Sequence, residues 1–237
     1  YAVGSAINSF YHYKLDGIWQ KGEEADAAVF GLKPGSIKIN VPDMVRHTDT
    51  DGSVYYTKVN ADGQEIRYDA SNTYSVSADD YQVLGHNSPD WTMGFQNSLT
   101  NKDYDLSIYM YMRWGQMIKY SVLTDYDPTG LNNYPTYFNV WSETNPSNDF
   151  PAMDASIKDK LSYYPGFAAL SYVDGSFFKI KNITLGYTMP DKLAKKLGLG
   201  KLRVYRTITN PCVIANSHLL TDFETEMICG LNYPLTK

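Results

Sequence analysis

The four histidines, His12, His47, His86 and His218, are the side chains best suited to holding a metal or moving a proton near neutral pH. No two of them stand at i, i+4 or at any other metal-binding spacing. Asp49-x-Asp51-Gly52 has part of the form of a calcium loop, but with Asp49 as its third position the first would be His47 and the twelfth Lys58, and neither supplies the required carboxylate. An Asp-Gly hairpin turn is the better reading. Adjacent carboxylates such as Glu23-Glu24 and Asp79-Asp80 diverge on regular elements and make solvated faces rather than an acid/base couple. There is no Gly-x-Ser-x-Gly elbow for a serine nucleophile. Asn182-Ile183-Thr184 has the form of a glycosylation triplet but lies inside a strand pattern. Cys212 and Cys229 enclose a loop of about 17 residues, which as a disulfide would contribute about 3 kcal/mol, or they are two separate apolar fillers. These residues predict no catalytic centre, no cofactor and no metal.

The positioning elements must therefore explain the chain. Tyr 21, Phe 9 and Trp 4 make 14% of the 237 residues, with 43% hydrophobic and 20% charged. That excludes a disordered tail. No apolar run approaches the roughly 20 residues of a spanning helix. The net charge of −5 offers no basic face for nucleic acid. Abundant amphipathic rings suit surfaces that are half apolar and half wet: sugar grooves, interfaces and the girdles of membrane β-barrels. Residues 1–8 lack the basic start and apolar block of a signal peptide.

Residues 1–90 are punctuated by turns. A short helix is predicted over Glu23 to Phe30, stopped at Gly31 and followed by a Pro34-Gly35 turn. Asp51-Gly52 and Asp62-Gly63 flank a strand, Val54 to Val59. Residues 91–114 read as a long hairpin. Tyr104, Leu106, Ile108, Met110, Met112 and Trp114 alternate strictly with Asp105, Ser107, Tyr109, Tyr111 and Arg113. Trp91, Met93, Phe95, Asn97 and Leu99 form the matching row, with the link at Thr100 to Asp103. Strands of soluble proteins usually have about 5–6 residues, and a tilted bilayer strand needs about 9–11. The row therefore fits a bilayer strand bracketed by girdle aromatics, or one long strand of a soluble sandwich. Residues 115–176 show little periodicity, a length of loop that suits the outer side of a membrane barrel better than a compact soluble domain. A second hairpin is expected over 177–210, with one or two helical turns from Pro190 to Gly198. Arg206 falls on its apolar row with Leu202, Val204 and Ile208: near an interface, turned inward by a bulge, or not facing lipid.

Several stretches, in collinear order, resemble the SusC/RagA family of TonB-dependent outer-membrane transporters of Bacteroidetes. They are Tyr13-Lys14-Leu15-Asp16-Gly17-Ile18-Trp19-Gln20, Lys33 to Lys38, Leu84 to Asn97 with Tyr104 to Ser107, and most specifically Leu170-Ser171-Tyr172-Val173-Asp174-Gly175-Ser176-Phe177 through Tyr187. Leu202 to Tyr205, Asn210-Pro211 and Asn232 to Thr236 continue the series. The segment from His47 to about Asp80, Cys212 and the stretch His218 to Gly230 depart from the family pattern.

The resemblance implies an all-β fold: the C-terminal antiparallel strands of a barrel of about 22 strands with long extracellular loops. Residues 1–90 would be mostly extracellular loop, 91–114 and 177–210 wall hairpins, 115–176 a second extracellular loop, and 211–237 a loop leading to a last strand outside the chain, as is the plug domain. It implies import across the outer membrane of glycan oligomers or peptides, with a SusD-like surface lipoprotein as lid, the lipid bilayer around the wall, and TonB acting through the missing N-terminal region. It implies no enzyme. The residues expected at substrate or partner are Trp19, Tyr137 and Trp141 in loops, which otherwise pack the loop on itself, and Tyr109, Tyr111 and Arg113, with Asp105, lining the pore. The alternative is a soluble β-rich carbohydrate-binding or adhesin domain.

Overall fold

The computed structural model describes residues 4, 6–121, 138–153, 167–217 and 219. They fall into two compact units, Tyr1–Gly85 with Lys119–Tyr172, and His86–Ile118 with Val173–Lys237.

The first unit is built of short elements: β1 (Ser9–His12), β2 (Lys14–Ile18), α1 (Glu24–Val29), β3 (Ile37–Asn40), β4 (Met44–Thr48), β5 (Val54–Val59), β6 (Glu65–Tyr68) and β7 (Gln82–His86). They pair as β1 with β7, β2 with β3, and β4, β5 and β6 as a three-stranded meander. The helix forms where acidic Glu24 and Asp26 meet its positive N-terminal end, and it buries Ala27 and Val29. Gly31, at φ +66, ends it. In the meander, Gly52 and Gly63 take φ +86 and +78. Asp51 accepts from the Ser53 amide (2.9 Å) and hydroxyl (2.7 Å), so its carboxylate is engaged within the turn.

The described residues of 115–176 hold more fixed structure than their missing periodicity predicts. Phe138, Trp141, Phe150, Phe167, Ala169 and Leu170 are buried, in one unit with Ile18, Trp19, Val29 and Ile37. Phe150 stacks on Phe138 at 5.0 Å and meets Phe167 edge-on at 6.3 Å. These side chains are buried by a folded-back loop, where neither a two- nor a 3.6-residue period applies. A buried polar cluster lies beside them in the same unit. Asp80, 0% exposed, pairs with Lys58 and accepts from the Tyr74 hydroxyl (2.7 Å) and the Ser77 amide (2.9 Å). Burial above all, with the Asp80 carboxylate and against the opposing pull of Lys58, pushes the Tyr74 phenol up to about 12.

The second unit holds a four-stranded antiparallel sheet in the order β13-β12-β9-β8. Its strands are β8 (Trp91–Asn101), β9 (Tyr104–Trp114), β12 (Phe177–Thr188) and β13 (Arg203–Ala215), 11 to 13 residues each. The short β10 (Met117–Lys119) and β11 (Tyr172–Asp174) precede β12 in the chain. The β8–β9 link is tighter than expected. Asn101 pairs with Tyr104, leaving only Lys102-Asp103 in the turn, with Lys102 at φ +53. Between β12 and β13 lies α2 (Asp191–Lys196). β13 runs five residues past Asn210, to Ala215.

The register carries the alternation across the sheet. Leu99, Leu106, Leu185 and Arg206 form one rung, and Asn97, Ile108, Ile183 and Ile208 the next. Phe95, Met110, Ile180 and Cys212 follow, then Met93, Met112, Phe178 and Ile214. One face of all four strands is thus apolar apart from Asn97, Asn101 and Arg206. It is not a core: Leu99 is 60% exposed, Leu185 54% and Ile214 63%. A sandwich strand would have this face covered. A bulge at Lys181 in β12, opposite Asn210-Pro211 in β13, shifts the phase of β12 by one residue. It lies two rungs from Arg206 and does not turn it. Arg206 stays on the apolar face, one rung from the aromatic pair Tyr104–Tyr187 at the hairpin-turn end, with ring centroids 4.9 Å apart.

Asp80→Ala strands the Lys58 ammonium in a partly buried pocket and is expected to destabilise the first unit by about 3 kcal/mol. Limited proteolysis of the 40–80 region in the full protein reads this, and unchanged protection would refute it.

Candidate functional site

The polar face of the four-stranded sheet presents the chemistry. Its rungs are Thr92, Arg113, Phe177, Ala215; Gly94, Tyr111, Lys179, Val213; Gln96, Tyr109, Asn182, Thr209; Ser98, Ser107, Thr184, Thr207; and Thr100, Asp105, Gly186, Tyr205. Period-two alternation puts Tyr109, Tyr111, Arg113 and Asp105 on this one face, away from the apolar rows.

Two charged clusters sit at its ends. At the turn end, the Arg203 guanidinium donates to both Asp105 oxygens, at 3.1 and 2.6 Å. Gly186 lies between them, and a Cβ there would collide with both groups. At the far end, Arg113 Nε donates to the Tyr111 hydroxyl at 2.8 Å, and Lys181 Nζ sits 4.8 Å above the Tyr111 ring. The Phe177 ring lies 6.0 Å from Tyr111, and Lys179 is buried in the same rung. Tyr111 and Arg113 are therefore in contact, and Tyr109 shares their face by register. Sequence reasoning missed Phe177, Lys179 and Lys181. The first two follow from the same alternation once β12 is set against β9, whereas Lys181 reaches Tyr111 only because of the bulge.

The loop residues are placed differently. Trp19 is 3% exposed and Trp141 8% exposed, so neither ring is presented to a ligand or partner in this conformation. They pack the loops on themselves, the alternative that the sequence left open. The Trp141 indole donates to Gln20 Oε1 at 3.0 Å. Gln20 Nε2 donates in turn to the Ile18 carbonyl (2.7 Å) and to Asn148 Oδ1 (3.0 Å), which also accepts from the Ile18 amide (3.0 Å). Gly35, at φ +89, lies against Trp141 with a Cβ position 2.6 Å from the ring, so only glycine fits. A cavity of about 420 Å³ opens beside Trp141, rimmed by Lys21, Glu24, Lys33 and Glu143. Tyr137 and Cys229 lie outside the described residues.

In the same unit His12 stacks on Tyr81 (4.9 Å, 18°) and meets Tyr13 and Tyr172 at 5.2 and 5.3 Å. Burial, then the charge of Lys119, holds the imidazole below its ordinary pKa of 6.5. Asp26 is held below the usual carboxylate range, chiefly by the Arg46 guanidinium at 2.6 Å. No cluster of three metal-ligating side chains exists among the described residues.

No family model matches the chain. The chain is 28% identical over 202 residues to TonB-dependent receptor P3 of Formosa agariphila, covering 85% of the chain and 17% of that receptor. It is 30% identical over 212 residues to TonB-dependent receptor P26 of the same organism, covering 88% of the chain and 18% of the receptor. Among solved structures, the RagAB peptide transporter superposes on 88% of the chain and 19% of its own with a TM-score of 0.54 and 22% identity. The chain is similar to a segment of a TonB-dependent receptor and shares the barrel-strand fold of the RagAB structure. The segment spans less than a fifth of the length of either receptor. Its four-stranded sheet is antiparallel barrel wall, open at β8 and β13 among the described residues.

Two outcomes follow. Trp141→Ala in the full protein is expected to destabilise by about 3–5 kcal/mol, seen as a lowered melting temperature and faster proteolysis, because it empties a packed site. Unaltered melting would return Trp141 to the surface. Because His12 is held below 6.5, its neutral form supports the folded unit above that value, and the support is lost as pH falls through the folded pKa. Hydrogen-exchange protection factors at residues 9–13, corrected for the pH dependence of intrinsic exchange, should therefore fall from pH 7.5 to about 5 in the parent and fall much less in His12→Gln. An equal fall in both would refute the assignment.

Proposed function

We propose that this segment supplies barrel wall and outer loops to an outer-membrane, TonB-dependent importer, and that no bond of the substrate is made or broken in its work. The single observation that carries this reading is the sheet of 11- to 13-residue strands whose apolar face has no second layer over it, exposed along β8 and β13 and half-buried along β9 and β12, while the opposite face is polar. An aqueous surface tolerates scattered apolar side chains but not a contiguous field of this width. In lipid the same field is matched, and the interstrand ladders satisfy the backbone groups facing one another between β8 and β13, which the hydrocarbon cannot. Similarity to two TonB-dependent receptors supports the importer class.

On this reading the polar face lines the lumen. Tyr109 and Tyr111 offer amphipathic rings to sugar or peptide, Arg113 offers a charged fork, and Asp105–Arg203 closes the turn end of the same face. The substrate is a glycan oligomer or a peptide too large for passive pores. The RagAB structure is that of a peptide transporter, which supports the second class, while the tyrosine-rich lining suits either. Segments 1–90 and 115–176 would supply extracellular loops, over which a SusD-like lipoprotein would close. TonB acts on a part of the protein outside these 237 residues.

Membrane insertion tests the proposal. Ile108→Asp in the full protein puts a carboxylate on the lipid face and is expected to remove most of the protein from the outer-membrane fraction. Thr207→Asp, one rung away on the polar face, is expected to leave its level within about twofold. Equal recovery of the two variants, or release of the parent into buffer without detergent, would favour the soluble adhesin instead.

A further inference from the structure

The hairpin-turn end of the wall carries charge of one sign. Between Pro190 and Arg206 six side chains are basic (Lys192, Lys195, Lys196, Lys201, Arg203 and Arg206) and one is acidic (Asp191), in a chain whose net charge is −5. Arg203 is committed to Asp105. Lys192, Lys195, Lys196, Lys201 and Arg206 enter no ion pair among the described residues. The same stretch is unusually apolar for an exposed turn. Leu193, Leu197 and Leu199 are 49%, 63% and 41% exposed, and Ala194 alone of α2 is fully buried. The helix is held in place rather than dangling. The Met189 amide donates to the Leu202 carbonyl at 2.8 Å, extending the β12–β13 ladder to its foot, and the Leu199 amide closes it on Ala194 at 2.9 Å.

A soluble connection of this length would present lysines outward and leucines inward. Here both are outward, one turn beyond the Tyr104–Tyr187 pair and Val204, where the apolar face of the wall ends. An exposed leucine set beside unpaired lysines, at the rim of a lipid-facing sheet, is the composition of a segment that lies in a bilayer interface. The leucines enter the acyl region. The lysines stay at the depth of the phosphates, each adding attraction to anionic headgroups. Arg206 then has a role on the apolar face. From one rung inside the aromatic pair its long side chain can reach the same phosphate layer, which removes the cost of a mid-bilayer guanidinium.

We infer that α2, Lys201 and Arg206 form a docking surface for anionic phospholipid in the leaflet at the hairpin-turn end of the wall. This rests on the membrane reading above. The test uses the full-length protein in vesicles, cysteine-free except for one introduced cysteine carrying a fluorophore, with a minor fraction of nitroxide-labelled phosphatidylglycerol or, separately, phosphatidylcholine. With the label at Leu197→Cys, quenching by the phosphatidylglycerol probe is expected to exceed that by the phosphatidylcholine probe by about threefold or more. The preference should disappear when K192Q, K195Q, K196Q and K201Q are combined, and should shrink with added salt in the parent. A label at Leu185→Cys, on the wall, should be quenched by both probes alike throughout. Equal quenching by the two probes at Leu197, or none, with Leu185 still quenched, overturns the headgroup surface and leaves the barrel reading standing. No quenching at Leu185 overturns the barrel reading, and the headgroup surface with it.

Discussion

Strand register is the constraint on which the rest depends. Side chains alternate across a strand with a period of two, so a sheet has an apolar face only if each strand's alternation is in phase with its neighbours'. In this sheet the phase is kept over four strands by continuous ladders, with Leu106 opposite both Leu99 and Leu185, and Ile108 opposite both Asn97 and Ile183. The hydrogen bonds satisfy the backbone and the phase sorts the side chains. Together they let a polypeptide with no long apolar run offer one face to hydrocarbon and the other to water.

The other unit solves a different problem. Its strands are too short to bury much by themselves, so it closes on aromatic rings and a few polar junctions. Gln20 joins Ile18, Trp141 and Asn148, and Asp80 joins Lys58, Tyr74 and the Ser77 amide. The Gln20 junction joins segments 121 and 128 residues apart, which is how loops with little secondary structure hold one shape, while the Asp80 junction pins the nearer stretch from Lys58 onward. Such a scaffold leaves its outer surface open to change while the buried rings and junctions stay fixed.

The strands were legible in the sequence because they obey a simple period. The hairpin from Trp91 to Trp114, the helix after Gln20, the two Asp-Gly turns and the helical turns after Pro190 were each marked by local chemistry, and the structure has them within a few residues. The family resemblance, carried by residues in collinear order, agrees with two receptor sequences. The core of the first unit was not legible. Phe138, Trp141, Phe150 and Phe167 follow no period because loop backbone imposes none, so Trp19 and Trp141 were open to reading as contact residues when they are core. Lys179 and Lys181 beside Tyr111 were hidden for another reason, since finding them requires the pairing of β12 with β9 as well as each strand's own pattern.

The bulge at Lys181 has an evolutionary corollary. On the near side of it the even-numbered residues Phe178 and Ile180 belong to the oily face, and on the far side the odd-numbered Ile183, Leu185 and Tyr187 do. Exchanging Lys181 for another amino acid leaves that parity untouched. Losing its codon would turn half of the strand inside out, with threonine and asparagine towards the acyl chains and isoleucine towards water. At this position the gene must conserve spacing more strictly than identity, so homologous walls should tolerate many residues there and almost no change of length.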